Sequence, residues 1–371
     1  MSGTPLSLYI HFPWCVRKCP YCDFNSHEAR GGILEREYVD ALIADLDAAL
    51  PLAEGRVVQT AFIGGGTPSL LSPAALDRLL SAVSRRLTFA PEAEITLEAN
   101  PGAIEAAKFA AFRAAGVTRL SLGIQSFDDA KLSALGRIHS ADEARRAAEL
   151  ALAHFGHVNL DLMYALPGQT LEEAQRDVET AIGFGPGHVS AYHLTIEPNT
   201  AFHHAPPAVP DDDLAADMQE MAEATLAAAG YAHYETSAFA KPGERCRHNL
   251  NYWTFGDYLG LGPGAHSKIG HRREARPRNP KDYLADPVAR RWQPIAPEDL
   301  PGEFMMNALR LNEGFAPALF GERTGLAMAV IEESVAAARR EGLLEVSEES
   351  IRPTPLGRRF LNRLIARFLA A

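Results

Sequence analysis

His11-Phe-Pro-Trp-Cys15-Val-Arg-Lys-Cys19-Pro-Tyr-Cys22-Asp-Phe24 holds three of the four cysteines of this chain, spaced C-x3-C-x2-C. Three thiolates so placed can ligate all but one iron of a [4Fe-4S] cluster, whose full cysteinyl ligation takes four sulfurs. The remaining iron is then open to a small molecule, and S-adenosylmethionine (SAM), a radical cofactor, is the candidate. A structural zinc site completed by His11 or His27 competes with this reading, although the usual paired C-x2-C blocks are absent. A disulfide is weaker still in a chain with four cysteines and no secretory context.

The cysteine spacing resembles the radical SAM superfamily, in which the methionine moiety of SAM chelates the open iron. The resemblance implies a 5'-deoxyadenosyl radical once the cluster is reduced.

Working outward, the first half of the chain alternates extended apolar segments with helical patterns. Strands are expected at Ser7 to His11, Thr60 to Ile63, Glu94 to Glu98, Arg119 to Gly123, Val158 to Met163 and Val189 to Leu194. Between them stand helix starts, with Ser72-Pro73 as cap and first residue and capping boxes at Ser140 with Glu143 and Thr170 with Glu173. The alternation implies parallel βα units, fewer than the eight of a closed barrel. The expected class is therefore α/β, an open (βα)6 partial barrel of the radical SAM type, with a doubly wound sheet as the alternative.

In both architectures ligands gather beyond the carboxyl ends of the strands. The cysteine loop follows the first strand and Gly64-Gly65-Gly66-Thr67 follows the second; Glu98 ends the third, Gln125 follows the fourth, and Asp161 lies near the end of the fifth. Glycines let a backbone approach a ligand closely, or else serve only a tight βα turn. Glu98 is suited to accept from a ribose or ammonium group, or is a solvated strand-end acid. Asp161 stands in an apolar run where a charge is costly unless paired. Arg137 could pair with it, in a structural salt bridge, or with the SAM carboxylate. Tyr9, Phe12, Trp14, Tyr21 and Phe24 surround the cysteines with aromatic surface that excludes water, and Tyr21 could stack on adenine; Phe12 and Trp14 read better as core packing.

A chain of 371 residues with 47% hydrophobic and 22% charged composition fits a globular protein of two or three domains. No stretch has the roughly 18 to 20 apolar residues of a membrane span, and no signal peptide is evident at the start, so a cytoplasmic location is expected. Residues 1–270 read as the radical SAM core and its extension. The Pro-rich, charged stretch 271–301 reads as a linker or peripheral crossing. Residues 302–371 read as a small winged-helix-like domain. From residue 300 onward nine Arg face nine Glu, and the net charge of -11 argues against a general nucleic-acid binder, so no nucleic-acid partner is expected.

Taken together, Tyr9-Ile-His-Phe-Pro-Trp14, Gly64-Gly-Gly-Thr-Pro-Ser69, Leu97-Glu-Ala-Asn-Pro-Gly102, Gly123-Ile-Gln-Ser-Phe127, Leu135-Gly-Arg-Ile-His139 and Asp161-Leu-Met-Tyr-Ala-Leu-Pro-Gly168 resemble the oxygen-independent coproporphyrinogen III oxidase family over nearly the whole chain. The resemblance implies that Cys15, Cys19 and Cys22 bind the cluster and that Tyr9, Gly65 and Glu98 contact the cluster-bound SAM. It also implies that Tyr21, Gly66, Thr67, Gln125, Arg137 and Asp161 match positions contacting a second SAM in the oxidase. Two departures set the chain apart. Phe24 stands where the oxidase pattern carries a further cysteine, and only a few residues precede Ser7 where the oxidase has an extension. Both point to the heme-chaperone branch of the family, with propionate decarboxylation as the alternative activity. Cys246-Arg-His248-Asn-Leu-Asn-Tyr252-Trp253 contains a His-Asn-x-x-Tyr pattern, which in that branch implies heme binding by His248 and Tyr252. Imidazole and phenolate both serve as axial ligands. Cys246 reads as a spectator. The implied partners are heme, the respiratory hemoproteins that receive it, with the membrane surface as one meeting place, and a second copy of the chain.

Overall fold

The computed structural model describes residues 3–102 and 106–369. Its organising pattern is period-two alternation, which sends successive side chains to opposite faces of a sheet. In Ser7-Leu-Tyr-Ile-His-Phe12 the residues Leu8, Ile10 and Phe12 are buried, and Ala61, Ile63, Leu97, Leu120, Leu122, Leu160 and Val189 repeat the pattern on neighbouring strands. These pack in one core with Tyr38, Leu42, Leu76, Leu79, Ala148 and Val178 of the connecting helices. Each fully buried Val, Leu, Ile or Phe among them contributes about 1.5–3 kcal/mol.

Numbered along the chain, the strands of the main sheet are β1 Leu6–Phe12, β2 Val58–Gly65, β3 Phe89–Ala99, β4 Arg119–Gln125, β5 His157–Tyr164, β6 His188–His193, β7 Ala232–Glu235, β8 Ala238–Ala240, β9 Asp257–Leu261, β10 His266–Ile269, β11 Arg272–Ala275 and β12 Arg291–Pro294. Among the described residues they form one sheet in the order β12-β11-β10-β9-β1-β2-β3-β4-β5-β6-β8-β7. From β1 to β6 the strands are parallel and lie side by side in chain order. That is the winding of a barrel, not of a doubly wound sheet, and β12 and β7 leave it open at both borders.

All six expected parallel strands are present, and a seventh, β9, lies parallel to β1 on its other side. The stretch 271–301 carries the border strands β11 and β12 and the helix Pro280–Ala285. It is tied inward by charge. Asp45, fully buried in the helix Glu35–Ala53, meets Arg276 at 3.0 Å, Arg290 at 3.4 Å and the Tyr283 hydroxyl at 3.1 Å. The helix starts also form as expected, with Ser72 accepting from the Ala75 amide and both capping boxes closed.

Opposite the apolar layer, the other face of β1 to β6 is polar. Ser7 stands opposite Thr60, Thr60 opposite Glu94, Thr96 opposite Arg119, Ser121 opposite Asn159 and Asn159 opposite His188. Three of these pairs bond across the strands, Ser7 to Thr60 at 2.7 Å, Asn159 to Ser121 at 2.8 Å and His188 to Asn159 at 2.6 Å, whereas Thr96 Oγ1 is buried without a partner. Buried polar groups stay affordable only when so paired.

A second core, including Phe304, Phe315, Phe320, Ile331, Ile351 and Leu364, forms the C-terminal module. Helices Leu300–Ala308, Pro317–Thr324 and Glu332–Arg340 precede a hairpin of Leu344–Val346 with Ile351–Pro353. Among the described residues no helix is long and apolar enough to cross a membrane.

Candidate functional site: the carboxyl ends of the parallel strands

Beyond β1 the chain folds back on itself. Trp14–Cys15 pairs with His27–Glu28, and the His27 amide donates to the Pro13 carbonyl at 2.7 Å. This fold presents Cys15, Cys19 and Cys22 as free, half-buried thiols on one loop. The Cys19 sulfur accepts from Arg137 Nη1 at 3.7 Å, and Cys22 lies 3.6 Å from the Ser26 hydroxyl. Burial pushes the Cys15 thiol up, opposed by a hydrogen bond from Thr67.

The glycine triplet after β2 exists to meet this loop. Gly65 has a φ of +110°, and a Cβ there would come within 2.5 Å of the His11 ring; one on Gly66 would come within 2.5 Å of the Trp14 carbonyl oxygen. The closeness is used: the Gly66 amide donates to the Phe12 carbonyl at 2.6 Å and the Thr67 amide to the Trp14 carbonyl at 2.8 Å. Both the turn and the ligand-facing readings of the triplet are therefore compatible with its geometry.

Glu98 accepts from the Gly65 amide at 2.9 Å. Burial pushes its carboxyl up to about 8, with the Gly65 amide opposing and Asp161 adding to the rise. Asp161 is raised by burial and held by hydrogen bonds from Tyr192, from Asn159 at 2.7 Å and from Ser121 at 3.2 Å. Two carboxyls that resist ionising together suit a site completed by a cationic ligand. Arg137 does not pair with Asp161. Its Nη2 donates to Asn100 Oδ1 at 2.6 Å and to the Gly123 carbonyl at 2.8 Å, while Nη1 reaches Cys19.

Gln125 adopts the left-handed φ of +69°, and its buried Oε1 has no partner in the protein. It lies with Arg137 over Gly123, where a Cβ would come within 3.1 Å of Gln125 Nε2 and 3.3 Å of Arg137 Nη2. Tyr21 packs against Phe202 at 6.3 Å, beside Cys19 and Arg137. The Tyr9 hydroxyl meets His11 Nδ1 at 2.9 Å, and His11 Nε2 meets the Asn25 carbonyl at 2.9 Å. Both nitrogens of His11 are thus occupied. Among the described residues no three His, Cys, Asp or Glu side chains gather around a point that would suit a single metal ion.

The structure so brings the cysteines, Tyr9, Tyr21, Gly65, Gly66, Thr67, Glu98, Gln125, Arg137 and Asp161 to one end of the sheet. Asn100, which donates to Thr67 Oγ1 at 2.9 Å, and Tyr192 belong with them and escaped the sequence reading. Continuing the two-residue alternation through β3 and β6 would have reached both.

His248 lies elsewhere. It sits in the helix Arg247–Trp253, is 1% exposed, and has both nitrogens bonded, Nδ1 to Thr60 Oγ1 at 2.8 Å and Nε2 to the Tyr252 hydroxyl at 3.1 Å. Burial pushes its imidazole down to about 3. Glu94 accepts from the Arg247 amide at 3.2 Å and the His248 amide at 3.0 Å, and Cys246 is buried beside it with its thiol pushed up to about 12 by burial. Thr60 stands towards the amino end of β2 and Glu94 in the middle of β3, five and four residues before Gly65 and Glu98. One polar face thus carries the cysteine site at one end and His248 at the other.

Residues 9–181 match the radical SAM superfamily model, and residues 295–360 match the model of the HemN C-terminal domain. The chain is 49% identical to the heme chaperone HemW of Escherichia coli, over 99% of this chain and 98% of that protein. The HemW of Haemophilus influenzae is 46% identical, over 98% of each. The chain belongs to the HemW family. The HemW relatives are covered almost end to end, so family membership extends through the C-terminal module as well as the sheet. Among solved structures, the coproporphyrinogen III oxidase HemN of Escherichia coli superposes on all of this chain with a TM-score of 0.85 at 24% identity, covering 91% of that chain. That likeness establishes a shared fold.

Proposed function

We propose that this protein is a heme chaperone that binds heme, transfers it to respiratory hemoproteins and carries a SAM-ligated [4Fe-4S] cluster. The observation that carries the reading is the near-complete, 49% identical relation to a protein named a heme chaperone. Cys15, Cys19 and Cys22 would hold the cluster, and the donor set fits: three thiols, half-buried, on one loop. The cluster and SAM, when bound, supply one-electron chemistry at the sulfonium. Around them, the backbone of Gly65 and Gly66 offers close approach, Glu98 accepts from an ammonium or ribose, and Gln125 Oε1 awaits a donor. Arg137 places a positive charge against Cys19, while Tyr9 and Tyr21 exclude water. Thr67, Arg137 and Asp161 complete the wall on which a second SAM would rest.

His248 and Tyr252 are the proposed heme ligands. Neither imidazole nitrogen is free in this conformation; movement of the helix Arg247–Trp253 away from Thr60 would release Nδ1, and Tyr252 on the same helix would remain beside Nε2. Residues 1–270 form the core, 271–301 its peripheral crossing and 302–371 a winged-helix-like module, a shape in keeping with three helices followed by a hairpin. The protein acts in the cytoplasm, as a homodimer, and meets its recipients there or at the membrane surface.

Anaerobic heme titration of the cluster-reconstituted protein, read by absorbance, tests this. Saturable binding that weakens by at least about tenfold in His248→Ala, no less than losing a residue that merely supports a ligand costs a metal site, is the expected result. Equal binding by the variant would remove His248 from the role. Formation of protoporphyrinogen from coproporphyrinogen with SAM and reductant would instead establish the oxidase activity.

A further inference from the structure

His248 is enclosed, and the parts that enclose it are unequal. On the sheet side the helix Arg247–Trp253 is held through Glu94, Thr60 and Phe62, whose ring lies 5.1 Å from the imidazole. On the other side the two ends of the segment 245–255 are gripped by the C-terminal module. Glu313 takes Arg245 in a bidentate pair. Arg310 stacks its guanidinium 4.4 Å from the centre of the Trp253 ring. Arg323 Nε donates to the Thr254 carbonyl at 3.2 Å. Phe255 leaves the helix altogether and joins the module's core, 2% exposed, with its ring 5.8 Å from Phe304.

Phe255 makes that insertion at a cost. Its φ of +55° lies in the left-handed region, unfavourable for an aromatic residue, and is maintained only because the surrounding contacts dictate it. The grip is also incomplete: Trp253 Nε1 and Arg310 Nε are buried without partners. A seven-residue helix with a strained exit and two unsatisfied groups at its clamp has little stability of its own. Its position depends on what holds it.

We propose that the C-terminal module is a latch on the His248 helix: Glu313, Arg310, Arg323 and the Phe304 pocket hold it closed over the polar face, and release of these contacts exposes His248 and Tyr252 together. This rests on the reading of His248 as a heme ligand and assigns the module a gating role toward that site. It accounts for a ligand whose Nδ1 is occupied, because the same motion that withdraws Phe255 carries the imidazole away from Thr60, while the Tyr252 hydroxyl on Nε2 travels with the helix.

Two readouts separate the latch from the ligand. Hydrogen exchange of the full-length protein, followed by mass spectrometry over residues 246–256, should speed up by about tenfold in the double variant Arg310→Gln/Glu313→Gln, the effect of losing one or two charge-assisted contacts. Peptides from β3 to β5 should be unchanged. The single variant Arg323→Gln should act in the same direction by a smaller factor. The association rate of heme should rise with the exchange rate. Exchange over 246–256 unaltered in both variants, or raised equally throughout the sheet, would overturn the latch, as would faster exchange with an unaltered heme association rate. Failure of His248 as ligand has a different signature, equal heme affinity in wild type and His248→Ala, whatever the exchange shows.

Discussion

His248 illustrates how far one residue's chemistry can depart from its free form. An unfolded chain binds a proton at an ordinary imidazole near pH 6.5, whereas the folded protein refuses it until about 3. Below pH 6.5 the unfolded state therefore holds more protons, and stability falls as the pH drops through this window towards 3, while above 6.5 the contribution is complete. Between pH 7 and 5 the loss attributable to this one group is about 2 kcal/mol, at 1.36 kcal/mol per unit over the part of the window crossed. In the apoprotein, His248→Gln should shrink the pH 7 to pH 5 difference in urea-unfolding stability by that amount. An unchanged difference would mean that the ring is protonated in the folded state at pH 5. The carboxyl of Glu98, raised to about 8, works in the opposite sense, its contribution declining as the pH climbs from the ordinary Glu range to 8.

At the scale of elements, local signals and tertiary context divide the work. The helix Ala141–His154 begins at Ser140, whose hydroxyl accepts from the Glu143 amide at 3.2 Å while Glu143 accepts from the Ser140 amide at 2.9 Å. Ser140→Ala should cost about 1 kcal/mol in chemical denaturation, with the fold intact. A loss under a few tenths would show that the packing of Ala144, Ala147 and Ala148 against the sheet positions the helix without its cap. Such starts, and the alternation of β1 to β6, are written in the chain and were legible there. The strands β7 to β12 were not, being three to five residues long, too short for a period to show. Nor was the burial of His248, since nothing in Cys246-Arg-His-Asn-Leu-Asn-Tyr252 states which layer a short helix packs into. The cysteine end of the site was legible for a simple reason: parallel βα winding puts residues far apart in sequence at neighbouring strand ends.

At the scale of the whole molecule, distant segments are fastened by buried charge. Asp45, Arg276, Glu274, Arg290 and Tyr283 bring the first helix, the border strand β11 and the residues before β12 to one point. Asp45→Ala leaves Arg276, itself without solvent exposure, and Arg290 to share Glu274 alone, two cations against one buried carboxylate. The expected cost is about 3–5 kcal/mol, read as a lowered denaturation midpoint. A change below 1 kcal/mol would show that Glu274 alone neutralises the two arginines.

The borders of the open sheet carry a further consequence. An unpaired strand edge is a template for another chain. On one side β12 is four residues long, opens with Arg291 and closes with Pro294, which offers no amide proton. On the other side Leu311 bridges Glu235 of β7, and Asn312 bonds the carbonyls of Tyr234 and His233. The C-terminal module thereby covers the edge that β7 would otherwise present. Deprived of the module, the protein would acquire a sticky seam, and its solubility at high concentration would fall together with the anchoring of Phe255.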